Sequence, residues 1–280
     1  MKEVIAGAML KAWSKVNYPF RKILRFVYLI SEVGKCLEQL NYLVYNGPSC
    51  SAIDSFILSN YQYLRKGHFD KHYVEWRMSR IRKILQIYDI DFFIGKKVME
   101  VGGGLGNIGA FFAEIGAKVL SLEGRRVNRN FANLRYRNLK NFKSVEGDLE
   151  QDFMHLGKFD LIINFGVLEV VKNVDNVMAC CAELSDDILL ETMVCDSTDP
   201  SKIVFVELDP TGIDNPMSGI SARPSPAYIE KFFVDRGFSV YRYFDRDLNA
   251  GRHRYDWEHN NDNSVEDSMR RFWRFKRERQ

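Results

Sequence analysis

The sequence predicts an α/β protein with a parallel, doubly wound sheet. Three observations carry that prediction. From Lys96 to Val194, short apolar runs alternate with stretches of helical period, the rhythm of strands joined by crossover helices. Two runs, LII at 161–163 and ILL at 188–190, are continuously apolar, as strands covered on both faces must be. A glycine cluster, VGGGLGNIG at 101–109, directly follows the first run, where such folds turn from strand to helix and bind ligand.

Composition narrows the class. The 280 residues are 46% hydrophobic and 28% charged, the balance of an ordered globular chain. Forty Lys and Arg against 37 Asp and Glu leave a net +3. Global charge therefore gives no case for nucleic acid or a membrane surface as partner. No run reaches the roughly 20 apolar residues that cross a bilayer. VIAGAML at 4–10 is short and meets Lys11, so no signal peptide is expected. The five cysteines (Cys36, Cys50, Cys180, Cys181 and Cys195) form no C-x-x-C pair. No metal site is expected, and a reducing cytoplasm is the simplest setting. Cys180 and Cys181 read as small apolar core residues.

The elements follow in order. Residues 1–95 read as a helical extension or cap. Val74, Ile81, Ile84, Leu85 and Tyr88 form one apolar stripe. RKILRFVYLISEVGKCLEQLNYLVYN at 21–46 is helix-like up to the breaker Asn46-Gly47-Pro48. KKVMEV (96–101) is the first strand, and NIGAFFAEIG (107–116) is a helix closed by Gly116. KVLSLE (118–123) is a strand and VNRNFANLRYRNL (127–139) a helix. FKSVEGD (142–148) and FDLIIN (159–164) are strands, NVDNVMACCAEL (173–184) a helix, and DDILLETMV (186–194) the fifth strand. Residues 195–224, with Pro200, Pro210, Pro216 and Pro224, read as a loop insertion. SPAYIEKFFVDRG (225–237) is a helix capped by Ser225 with Pro226 in its first turn. FSVYRYF (238–244) is a strand and 245–269 a second polar insertion. RRFWRFKRERQ (270–280) reads as an edge strand with solvated arginines.

Two ligand motifs overlap in the glycine loop. Gly104, Gly106 and Gly109 match the dinucleotide pattern G-x-G-x-x-G. Glu100 with Gly102, Gly104 and Gly106 matches E-x-G-x-G-x-G, a loop for S-adenosyl-L-methionine (SAM). The strand ends at Val101. Counted from Gly102, the dinucleotide pattern needs glycine at 107, where Asn107 stands. A carboxylate at Glu100 would repel a pyrophosphate, whereas SAM offers an ammonium and a sulfonium. Glu123, 21 residues past Gly102, ends the second strand, where a carboxylate can accept ribose hydroxyls. Asp148 ends the third, placed for the exocyclic amine of adenine.

Four segments then stand in order: E-V-G-G-G-L-G at 100–106, L-S-L-E at 120–123, G-D-L-E at 147–150 and F-D-L-I-I-N-F-G-V-L-E at 159–169. Together they resemble the class I SAM-dependent methyltransferases. The resemblance implies a Rossmann-like, seven-stranded sheet with helices on both faces. It is closed by a helix, a strand and an antiparallel last strand, matching 225–237, 238–244 and 270–276. It implies a methyltransferase domain at 96–280, with insertions at 195–224 and 245–269, after the N-terminal extension 1–95. It implies SAM as donor and S-adenosyl-L-homocysteine as product. By motif position, Glu100, Gly102, Gly104 and Gly106 line the amino-acid end of SAM, and Glu123 the ribose. Asp148 and Leu149 flank adenine, Asn164 and Phe165 border the methyl-donor cleft, and Asn107 and Gly124 are counted with this set. Many relatives carry histidine after V-L-E; here Val170 stands there.

The expected reaction moves a methyl group to an oxygen, or else a nitrogen, of a small-molecule or sugar-like acceptor. Alignment supplies most of the rate, and a hydroxyl acceptor also needs a base. His253 is the first candidate, with Asp256 and Asp196 beside it in the two insertions and His68 ahead of the core. Two other readings are methylation of RNA or DNA and a non-catalytic SAM-binding role. Asn164-Phe165-Gly166-Val167 stands where amine-directed nucleic-acid enzymes carry N/D-P-P-Y/F, and intact Glu100, Glu123 and Asp148 speak against a decayed site. His68 and His72 lack a third metal ligand. The basic N-terminus, with only Glu3 before Glu32, could lie on anionic lipid as a peripheral membrane helix, but a cap on the core is preferred.

Overall fold

The computed structural model describes residues 71–210 and 215–278. The helix expected at 21–46, His68, and the expectation of a lipid-facing N-terminus lie outside these residues. Helix α1 (Lys71–Ile87) leads through a short 3₁₀ turn, Ile90–Phe93, into β1 (Lys97–Val101). Then come α2 (Asn107–Glu114), β2 (Lys118–Glu123), α3 (Arg126–Arg135) and β3 (Phe142–Glu146). β4 (Leu161–Phe165), α4 (Val174–Leu184) and β5 (Asp187–Met193) complete the alternating part. β6 (Ile203–Glu207), β7 (Ile220–Pro224), α5 (Pro226–Val234), β8 (Ser239–Tyr243) and β9 (Arg270–Lys276) follow.

The main sheet has the order β3-β2-β1-β4-β5-β9-β8. β1 to β5 pair in parallel, and β9 runs antiparallel to both β5 and β8. The fold is therefore the Rossmann-like, seven-stranded α/β sheet expected. The strand order reverses between β1 and β4, so the loops after them part and open a crevice at their carboxyl ends. All five β4 residues, LIINF, are buried, because helices cover both faces. On one face Ile81, Ile84, Phe93, Phe112 and Phe272 share a core. On the other, Val177, Met178, Phe233, Trp273 and Phe275 share a second. Adjacent β9 residues thus enter opposite cores, as the pleat requires. Helix α1 packs into the first core through Ile81 and Ile84, and the hydroxyl of Tyr88 just beyond it donates to Asp187 Oδ1 at 2.7 Å.

Two sequence expectations need correction. Residues 195–224 are not simply loop. β6 and β7 form a separate two-stranded antiparallel hairpin, with Ile203 opposite Pro224 and Glu207 opposite Ile220. The pairing joins segments 13 or more residues apart, and ISARP carries little β signal of its own. Pro224 is tolerated because it ends the strand. The C-terminal strand β9 is not at the edge. It lies between β5 and β8, and Arg270 and Arg271 are buried. Arg270 is paired with Glu169 and Glu191, and Arg271 donates to the carbonyls of Tyr255 and Trp257, which a local reading of alternating arginines does not reveal. Among the described residues no helix is long and apolar enough to cross a membrane.

Candidate active site

The loop after β1 carries the first group of residues. Gly102, Gly104 and Gly106 have φ of 65°, 55° and 74°, the left-handed region that side chains disfavour. Gly102 also allows close packing: a Cβ there would lie 2.5 Å from Val167 Cγ2 and 3.8 Å from Leu149 Cδ1. Hydrogen bonds from Gly102 N and Gly103 N to Leu122 O, 2.8 and 3.1 Å long, tie the loop to β2. Gly106 caps α2. Asn107 opens that helix and accepts from the Tyr136 hydroxyl at 2.8 Å.

Glu100 lies buried beneath this loop. Its Oε2 would be 2.5 Å from a Cβ at Gly109 and 2.7 Å from one at Gly103, so these two glycines make its seat. Oε2 has no hydrogen-bond partner, and burial pushes the carboxyl up to about 7. An acid this close to the amino end of α2 suits the helix dipole and opposes a pyrophosphate docked there.

Glu123, also buried, is held by the backbone. Oε2 accepts from Gly104 N at 2.7 Å and Oε1 from Arg125 N at 2.8 Å. Asn128 Nδ2 stands 3.4 Å from Oε1. Burial raises its pKa against these donors. The hairpin reaches this end of the sheet. Met217 Cε would lie 3.2 Å from a Cβ at Gly124, and Arg125 Nη2 donates to Asn215 O at 2.8 Å. Leu149 is buried. Asp148 is exposed and its Oδ1 accepts from Glu150 N at 2.9 Å. At the end of β4, Asn164 turns into the α4 core, with Nδ2 3.6 Å from Cys181 Sγ and Oδ1 without a partner. Phe165 turns the other way, its ring 5.1 Å from that of Phe272.

The structure thus gathers Glu100, the loop glycines, Asn107, Glu123, Gly124 and Leu149 around one loop. It does not gather the three candidate bases. His253 is buried, its ring 4.1 Å from that of Trp76, and its Nδ1 accepts from Arg270 Nε at 3.4 Å. Asp256 accepts from Asn249 Nδ2 at 2.8 Å. Asp196 is buried and stands 2.8 Å from His259 Nδ1, a partner that sequence reasoning missed.

A buried polar network past β4 and β5 was missed as well. Arg270 Nη1 donates to Glu169 Oε1 at 2.7 Å and to Glu191 Oε1 at 3.0 Å. Glu169 Oε2 accepts from Thr192 Oγ1 at 2.5 Å and from Met193 N at 3.1 Å. Glu191 Oε1 accepts from the Tyr255 hydroxyl at 2.9 Å, which accepts from Trp76 Nε1 at 2.7 Å. Arg80 lies 3.7 Å from the Trp76 ring centroid and 3.4 Å from Glu191 Oε2. Burial would raise Glu169, but Arg270 and Arg223 hold it below the usual carboxylate value. Burial keeps Glu191 above it despite Arg270 and Arg80. Glu169 sits in the V-L-E segment, the one signal available in the sequence; its charged partner Arg270 lies 101 residues away.

The sheet order β3-β2-β1-β4-β5-β9-β8 with β9 antiparallel, together with the glycine turn after β1 and the acid ending β2, is that of a class I methyltransferase fold. A family model described as a methyltransferase domain matches residues 67–243. The chain belongs to that family and is a SAM-dependent methyltransferase. Two similar solved structures are the N-terminal domain of EvdMO1 with S-adenosylhomocysteine (SAH) bound, and the same domain in the presence of SAH and D-fucose. Both are 20% identical at a TM-score of 0.56 over 72% of this chain; they are covered over 81% and 83% of their own lengths. A third is magnesium protoporphyrin IX methyltransferase from Synechocystis PCC 6803 with bound SAM, 16% identical over 92% of this chain and 96% of that one, with a TM-score of 0.48. No curated protein matches. The site fits the donor: the orphaned Glu100 Oε2 suits an ammonium, and no phosphate needs a place.

Proposed function

We propose that this enzyme methylates an oxygen of a small polar, ring-shaped acceptor such as a sugar, in a cytoplasmic setting. The observation that carries the reading is the roof over the carboxyl ends of β4 and β5. There Trp76, Tyr255 and His253, themselves buried, pack with Arg80, Glu191 and Arg270 into an aromatic and polar scaffold that walls the space beyond the strand ends. Aromatic faces with a few fixed polar groups are what sugar-sized rings require. The D-fucose in one similar structure agrees with this choice, as does the absence of an amine-directed motif at 164–167.

In this reading SAM supplies an electrophilic methyl group. Glu100 and the loop backbone hold its amino-acid end, and Glu123 turns from Gly104 N to the ribose hydroxyls. Asp148 and Leu149 flank the adenine, with Val167 packed beside them against Gly102. Residues 195–210, 215–224 and 245–269, with helix α1, enclose the acceptor and exclude water. Their work is alignment, which can supply most of the acceleration.

The test is SAH formation over a panel of D-fucose and other monosaccharides, catechol, their amino counterparts and bulk RNA. Turnover confined to hydroxyl probes supports the reading. Turnover confined to amines or RNA overturns it.

A further inference from the structure

Building on the oxygen-methylation reading above, we infer that His259 is the general base for the acceptor hydroxyl and that Asp196 positions it. Asp196 stands three residues past β5, with its side chain wholly buried. The turn at 259–264 wraps around it. Asn260 N donates to Oδ2 at 2.8 Å, Asn263 N donates to its carbonyl at 2.8 Å, and its own N–H donates to Ser264 O at 2.9 Å. Asn261 and Asn263 adopt φ of 59° and 58°, a region few non-glycine residues enter.

What the turn leaves open is Oδ1, 2.8 Å from Nδ1 of His259. An ionised carboxylate only accepts. Against it Nδ1 is the donor, and the neutral ring then keeps its lone pair on Nε2. Nε2 has no hydrogen-bond partner among the described residues, and the side chain is 18% exposed. The Trp257 ring stands edge-on to the imidazole, 4.8 Å away. A histidine with one nitrogen fixed by a buried acid and the other turned outward has the tautomer of a base. His253 has the opposite setting, because the Arg270 cation donates to its Nδ1 and disfavours a second charge.

The pair also has the right address. β9 returns beside β5 with Arg270 opposite Met193, so the turn before β9 belongs to the carboxyl end of β5, next to β4. Cys195, adjacent to Asp196, donates its N–H to Pro224 O at 3.3 Å, the root of the hairpin whose far end covers Gly124.

In the step, the acceptor O–H gives its proton to Nε2 while its oxygen bonds to the methyl carbon. The methyl–sulfur bond breaks with its electron pair left on sulfur, so the sulfonium becomes a neutral thioether. The positive charge passes to the imidazole, where Asp196 stabilises it. The charged groups facing the pair are Arg271, 3.5 Å from the Trp257 ring, and Asp262, whose carboxylate accepts from Ser264 N at 2.8 Å; exposed Glu258 adjoins in sequence.

The test has two arms. Nitrogen-15 NMR of the full chain should show His259 with its proton on Nδ1, and Asp196→Asn should shift that tautomer. A proton on Nε2 overturns the proposal, whether or not any acceptor is known. In kinetics, His259→Gln should slow methylation of D-fucose about 10²-fold or more and abolish the acidic-limb pH dependence, the fall in rate as the base protonates. It should slow 4-nitrophenol, which ionises by itself, far less, with SAM binding by calorimetry unchanged. Equal losses on the two probes, or no loss on D-fucose, overturn it. Wild-type enzyme that methylates only amines would sink the oxygen reading, while the tautomer arm still judges the pair.

Discussion

The two halves of the sheet's carboxyl end hold their acids by different means. On the β1–β2 side, Glu123 is clamped by the amides of Gly104 and Arg125, groups within 20 residues of it. On the β4–β5 side, Glu169 and Glu191 are held by the side chain of Arg270, 101 and 79 residues away. Backbone donors remain whatever the neighbouring side chains become, so the first half can give up a bond to a ligand and stay folded. The second half depends on side chains far along the chain, Arg270 above all with Arg80 on Glu191, and its charges are buried. The difference separates a surface that exchanges ligand from a scaffold that shapes the space beside it.

Arg270→Met should have the largest effect, because it strands two buried carboxylates. Breaking a buried pair from one side costs about 3–5 kcal/mol, to be read by urea denaturation at neutral pH. A loss under about 1 kcal/mol would show that the network is wetter than its burial indicates, and the contrast between the halves would fail.

Glu100 sharpens the comparison through pH. Its carboxyl is raised from 4.5 to about 7 in the folded chain. The folded state therefore resists ionising it, and stability present below about pH 4.5 is lost as pH rises through about 7. The shift corresponds to about 3 kcal/mol at 1.36 kcal/mol per unit. Glu100→Gln should remove this slope, so that the variant gains on wild type from pH 5 to pH 8 in thermal unfolding. Parallel pH curves for the two proteins would disprove the burial of an unpaired charge.

Glu123→Ala tests the ligand-facing half. SAM affinity by calorimetry should fall by about 1–3 kcal/mol, roughly 5- to 150-fold, with little change in fold. Unchanged affinity would leave Glu123 as a loop fastener alone. Ser225→Ala should have the smallest effect. Its Oγ accepts from Tyr228 N at 3.0 Å, and loss of such a cap costs about 1 kcal/mol, measurable as a small drop in denaturation midpoint with activity intact.

The sequence by itself determined the strands and helices from 96 to 194, the glycine turn and the acid ending β2. These depend on period, on left-handed φ and on contacts within some 20 residues, all written locally. It also announced the cap at Ser225. Only the tertiary structure decided the rest. The hairpin β6–β7 forms because Ile203 meets Pro224. The arginines of β9 are interior because the chain inserts that strand between β5 and β8. His259 rather than His253 meets Asp196 because the turn at 259–264 folds back over 63 residues. Charge pairing at such separations leaves no periodic trace in the chain, since a buried arginine and a solvated one are the same letter until their partners arrive.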